Sequence, residues 1–124
     1  MAFILTDISN KEHELQINSW NWRPTLNLIG AADLVGEEKL ELMGENIGIE
    51  VTQEEAQRIG TFLQEKIVPG MQPNERIQYD LTLTAEPDTG ELYRDDLTKN
   101  YSVSYDWLKE FAAFCLSCKG FIVR

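Results

Sequence analysis

The apolar positions of this chain recur with two different periods, and each change of period marks an element. Residues 3 to 8, Phe-Ile-Leu-Thr-Asp-Ile, are rich in strand formers and stop at the polar cluster Ser9, Asn10 and Lys11. Over residues 14 to 18 polar and apolar positions alternate, with Leu15 and Ile17 on one side. The two runs predict a hairpin whose longish loop carries His13. Leu26, Ile29, Leu34 and Val35 then predict a helix over residues 24 to 35, with Pro24 at its first position and Gly36 just past its end. Residues 37 to 43 add a short turn that tucks Leu40 and Met43 under. Residues 44 to 48 read as a loop, and 49 to 51 as an extended approach to the next helix.

That helix has the strongest signature in the chain. Thr52 and Glu55 have the spacing of a capping box, in which each side chain satisfies a backbone amide of the other. Ala56, Ile59, Gly60, Leu63 and Ile67 recur on one face behind it, and Pro69 and Gly70 end it, so residues 53 to 67 are predicted helical. From 76 to 84 the alternation is nearly strict: Ile77, Tyr79, Leu81 and Leu83 against Gln78, Asp80, Thr82 and Thr84. This predicts a strand with one wet face. Residues 86 to 90 have the composition of a turn, with either Tyr93 or the run 101 to 103 returning as the strand's neighbour, and 94 to 100 read as loop. Ser104 offers a second N-cap to an apolar-faced helix over 105 to 118. Gly120 closes that helix, and residues 121 to 123 form a last strand.

The expected fold is therefore one α+β domain spanning residues 1 to 124. A mostly antiparallel sheet from segments 3 to 8, 14 to 18, 76 to 84, 101 to 103 and 121 to 123 is covered on one face by about three helices, at 24 to 35, 53 to 67 and 105 to 118. A chain of 124 residues is long enough to bury one core without disulfides or a metal. No apolar run is long enough to span a bilayer, and residues 1 to 5 lack the basic flank of a secretory signal, so the expected location is the cytoplasm, with no membrane contact.

Charge is spread unevenly along the chain. The net charge is −10, and between positions 33 and 55 eight acids stand against the single base Lys39. Such a surface repels phosphates, which argues against direct nucleic-acid binding, and attracts a basic partner. Asp33, Glu37, Glu38, Glu41 and Glu45 are the candidate partner-binding residues. The plainer alternative is that the acids serve solubility, and Glu54 and Glu55 already have a structural reason in the dipole of the helix they open.

Catalytic signatures are sparse. Cys115 and Cys118 form one Cys-x-x-Cys at the C-terminal end of a predicted helix, where the dipole opposes a reactive thiolate. A zinc site needs two further ligands, and the single histidine, His13, cannot supply both. Two buried cysteines acting as small apolar residues is the simpler reading. The chain has no phosphate-binding glycine loop, nucleophile elbow or His-Glu-x-x-His, and its many carboxylates select no pair. An enzyme, with the cysteine pair as its redox centre, is the minority reading, and no cofactor or metal is expected. One stretch remains: Asn18, Trp20, Trp22 and Arg23 are the candidate ligand-binding residues. If this stretch is extended, both indoles share a face beside a guanidinium suited to gripping a carboxylate. Against that, both rings can plug the core at a strand-to-helix junction while Arg23 pairs with a nearby acid.

The run Trp20-Asn21-Trp22-Arg23-Pro24, Asn46-x-Gly48 before the Thr52 helix, and Ser104 through Phe111 into Lys119-Gly120-Phe121 span most of the chain. In these pieces it resembles a group of small uncharacterised bacterial and phage proteins. It differs from them in Asn21, where an aromatic is common, in Lys119 replacing a glycine, and in a shorter middle. The resemblance implies one α+β domain and no particular chemistry. The functional expectation is a small acidic protein that works by protein–protein binding, of an inhibitor or immunity type. The alternative is a small-ligand module built on the Trp and Arg stretch.

Overall fold

The computed structural model describes residues 2 to 86 and 101 to 124. The expected turn at 86 to 90, Tyr93 and the loop at 94 to 100 lie wholly or mostly outside them. Strand β1 (Ala2–Asp7) pairs antiparallel with β2 (Asn10–Asn18). Helix α1 (Ser19–Ala31) and helix α2 (Glu37–Met43) follow, then β3 (Ile49–Thr52) and α3 (Gln53–Phe62). Next come three short strands, β4 (Arg76–Gln78), β5 (Leu83–Thr84) and β6 (Ser102–Ser104). Helix α4 (Tyr105–Ser117) and β7 (Gly120–Val123) end the chain. The fold is α+β with antiparallel pairing, but the described strands form two sheets where one was expected, in the orders β2-β1-β7-β3 and β5-β4-β6.

The second sheet exists because the alternating run at 76 to 84 is folded on itself. Ile77 pairs with Leu83 and Arg76 with Thr84, so a single long strand is replaced by a hairpin. Asp80 makes the turn, accepting from the Thr82 amide at 3.1 Å and the Thr82 hydroxyl at 2.6 Å, while Leu81 takes a left-handed φ of 70°. Alternation with period two looks the same in one strand and in a tight hairpin, so the pattern could not separate them. β6 pairs on the other side of β4, as Ile77 with Val103.

Helix α1 begins five residues earlier than the proline signal placed it. Asn18 accepts from the Asn21 amide at 3.0 Å and caps the helix, which leaves Pro24 inside it and deprives the Trp20 carbonyl of its usual donor. The helix stops at Ala31, where Asp33 takes a φ of 54°, and Gly36 opens α2 instead of closing α1. The capping box at Thr52 and Glu55 is present in both directions, at 3.0 and 3.2 Å. Helix α3 then widens into a π-helical turn at Leu63–Ile67 and tightens at Val68–Gly70, so the predicted helix at 53 to 67 is regular only to Phe62.

One core joins the pieces. Helix α1 touches β1 and β2 of the first sheet and β6 of the second, so it bridges the two. Helix α3 runs along α4, where a Cβ on Gly60 would stand 2.7 Å from Leu116 Cγ, so the close approach depends on a missing side chain. Phe111 and Phe114 of α4 set their rings on Phe121 of β7, at centroid distances of 6.2 and 5.7 Å. The turn from α4 into β7 passes through Gly120 at φ 96°.

Candidate functional site

Because residues 18 to 22 enter a helix rather than a strand, Trp20 and Trp22 point to opposite sides, about 200° apart around its axis. Trp22 has no exposed surface and donates its indole N–H to the Met43 carbonyl at 2.9 Å. Trp20 is 43% exposed. Its ring lies 5.0 Å from that of Tyr101, which lies 5.6 Å from that of Tyr79, so three aromatics form a row across the junction of α1 with the second sheet. Asn27 of α1 fixes this junction by donating to the Tyr79 carbonyl at 3.0 Å. The four candidate ligand residues are thus not brought together: Asn18 is a helix cap, Trp22 is core, Trp20 is surface, and Arg23 belongs to a different feature.

That feature is a cleft of about 380 Å³ between α1, α2 and the β4–β5 turn, lined among others by Arg23, Leu26, Glu37, Leu40, Glu41 and Tyr79. It joins one residue of the ligand group to two of the acidic group. Asp33, Glu38 and Glu45 are exposed nearby in the chain but do not line it. Glu37 and Glu38 sit in the first turn of α2, where the dipole favours them. Lys39 is held away from them by Glu55 of α3, at 2.6 Å. Among the described residues Arg23 forms no ion pair, so the expected pairing with a neighbouring acid is not made.

Sequence reasoning missed a polar cluster at the β1–β2 turn. The pairing breaks register between Thr6, opposite Glu14, and Asp7, opposite Asn10, so residues 11 to 13 bulge from the ladder. His13 therefore lies within a strand, not in a loop. Its Nδ1 meets Asp7 Oδ2 at 2.8 Å and its ring packs 4.8 Å from Phe114. The same carboxylate accepts from the Ser9 amide and hydroxyl at 2.9 and 2.8 Å, and from the Lys119 amide at 3.2 Å. Serine and histidine both bond to the aspartate and not to each other, so the three do not form a nucleophile relay. What the cluster does is tie the turn to the end of α4.

Burial by itself would raise the pKa of Asp7, which is 4% exposed, but the bonds from His13, Ser9 and Lys119 outweigh it and hold the group at about 2, below the ordinary 3.8. A depressed carboxylate contributes stability above its unfolded pKa and loses it as pH falls, here from 3.8 to about 2. Asp7→Asn should therefore cost about 2 kcal/mol at neutral pH, and should flatten the acid limb of the stability curve in that window. Urea unfolding of both proteins as a function of pH checks both points.

Cys115 and Cys118 are free and buried. Burial, with Cys118 alongside, pushes the Cys115 thiol well up, and burial with the Asp7 charge pushes Cys118 up despite a backbone hydrogen bond at Gly120. Neither is poised as a thiolate. In the folded protein both should resist a thiol reagent, and both should react at once when urea unfolds it. Mass spectrometry before and after unfolding reads the difference. Among the described residues no group of three or more His, Cys, Asp or Glu is placed to hold a metal ion, and no helix is long and apolar enough to cross a membrane.

The chain matches no family model, and no curated protein or solved structure matches it either. Any functional reading rests on its own residues.

Proposed function

We propose that this protein acts by binding another protein that presents a basic surface, in the manner of an inhibitor or immunity protein. Binding is through the face that runs from Trp20 across Tyr101 and Tyr79 to the carboxylates of α2. The observation that carries the reading is the position of Tyr79. Its ring is 5.6 Å from that of Tyr101 in the aromatic row, and it also lines the cleft that Glu37 and Glu41 wall. Aromatic anchors and acidic groups are therefore neighbours on one surface, the combination of buried hot spot and charged rim that protein interfaces use. Lysines and arginines of a partner would find carboxylates at the rim and ring faces beside them. The net charge of −10 speeds the encounter and disfavours nucleic acids. Two free buried thiols suit a reducing compartment, and the cytoplasm is the proposed location.

The test is affinity capture from native lysate on the immobilised protein at low and high salt, alongside Trp20→Ala and Glu37→Lys/Glu41→Lys. The expected result is a basic protein held at low salt, released at high salt and lost from both variants. Capture of nothing, or of the same proteins at both salts and on both variants, overturns the reading.

A further inference from the structure

The cleft beside α2 has a chemistry that a basic protein surface does not use in full. It sets one guanidinium, two carboxylates and an apolar lining within one space of about 380 Å³. That volume is near the lower end of the range for small-molecule sites, roughly 300 to 1,000 Å³. The opposite charges come from separate elements, Arg23 from α1 and the i, i+4 pair Glu37 and Glu41 from one face of α2. Neither glutamate lies within ion-pair distance of Arg23. The guanidinium has a prepared seat: a Cβ on Gly44 would lie 2.7 Å from one of its terminal nitrogens, so a side chain there would push it aside. Gly44 is itself buried and has an ordinary φ of −82°; a Cβ there would also stand 3.3 Å from the Glu41 carbonyl oxygen.

A purely anionic ligand would meet two carboxylates here, and a purely cationic one would meet the arginine. A zwitterion meets neither obstacle. We propose that this cleft binds a free α-amino acid with an apolar side chain. The ligand carboxylate pairs with Arg23 in the planar two-point manner that guanidinium favours, the ammonium pairs with Glu37 and Glu41, and the side chain lies on Leu26, Leu40 and the Tyr79 ring. This site stands independently of the protein-binding reading, although the two share Tyr79 and the α2 glutamates.

Isothermal titration calorimetry with L-leucine tests the assignment without any partner protein, so its failure leaves the capture experiment untouched. The expected result is saturable binding, weakened about tenfold to a hundredfold for isocaproate, which lacks the ammonium, and for isoamylamine, which lacks the carboxylate. Arg23→Ala and Glu37→Gln/Glu41→Gln should each weaken leucine by a similar factor with an unchanged far-ultraviolet circular dichroism spectrum. Gly44→Ala keeps every charge and should weaken it too, by unseating the guanidinium. No saturable heat with leucine, equal binding of the two truncated analogues, or wild-type affinity in Gly44→Ala overturns the proposal. So does tighter binding of leucyl-leucine, which would make the ligand a peptide end.

Discussion

Trp22→Ala should cost about 4 kcal/mol, a large share of the roughly 5 to 15 kcal/mol that holds a domain of this size folded. The side chain is fully enclosed, and its ring touches elements from both ends of the chain: Phe3 of β1 at 6.1 Å, and Trp107 and Phe111 of α4 at 6.3 and 5.6 Å. Its N–H donates to the Met43 carbonyl, where α2 ends. Truncation removes the packing against two elements and strands a buried acceptor at a third. Trp22→Phe keeps most of the apolar volume but loses the hydrogen bond and part of the ring; its cost should be about 1 to 2 kcal/mol. Chemical denaturation of the pair checks the ordering. Equal losses would mean that the hydrogen bond, not the packing, is what matters at this position.

Gly120→Ala should cost about 3 kcal/mol. Two independent faults add. At φ 96° a side chain is strained wherever it points, and a Cβ here would stand 2.7 Å from the Val51 carbonyl oxygen and 3.0 Å from the Gln53 amide nitrogen. Both atoms are backbone and cannot swing away. The site lies where β7 pairs with β3, Gly120 opposite Thr52, so relief would loosen the β3 edge of the first sheet and the capped start of α3. Thermal unfolding of Gly120→Ala beside wild type gives the measurement, and an unchanged midpoint would show that the α4–β7 turn can relax into another form.

Where the sequence was readable, a local signal and the tertiary packing asked for the same thing. Thr52 with Glu55 and Ser104 ahead of α4 are local devices, and each does in the structure what its spacing implies. Gly120 does not cap α4, which ends at an extended Cys118; its left-handed φ belongs to the first residue of β7. Pro24 misled because it favours a first turn in isolation, whereas the Asn18 cap and the burial of Trp22 start the helix earlier. The hairpin at Asp80 was hidden by Leu81, a residue that rarely adopts a left-handed conformation and gives no glycine to announce the turn. A usable signal did exist. Asp7 with Ser9 and Asp80 with Thr82 share the spacing Asp-x-Ser/Thr, and in both the aspartate accepts the amide and the hydroxyl two residues on. The candidate site was legible only in halves. Arg23 and the α2 acids stood out separately by residue type, but nothing local links them to one another or to Tyr79, and their meeting is a product of how α1, α2 and the hairpin pack.

The first sheet ends in β2, a nine-residue strand with no described neighbour on its far side. Its outward backbone amides and carbonyls could template another chain, since a bare edge accepts any extended segment that reaches it. Lys11, Glu12 and Glu14 are exposed along this strand, and the bulge at residues 11 to 13 interrupts its regularity. The His13 to Asp7 contact pins the bulge, so this rim is crooked as well as charged, the two devices by which exposed strands avoid pairing with further copies.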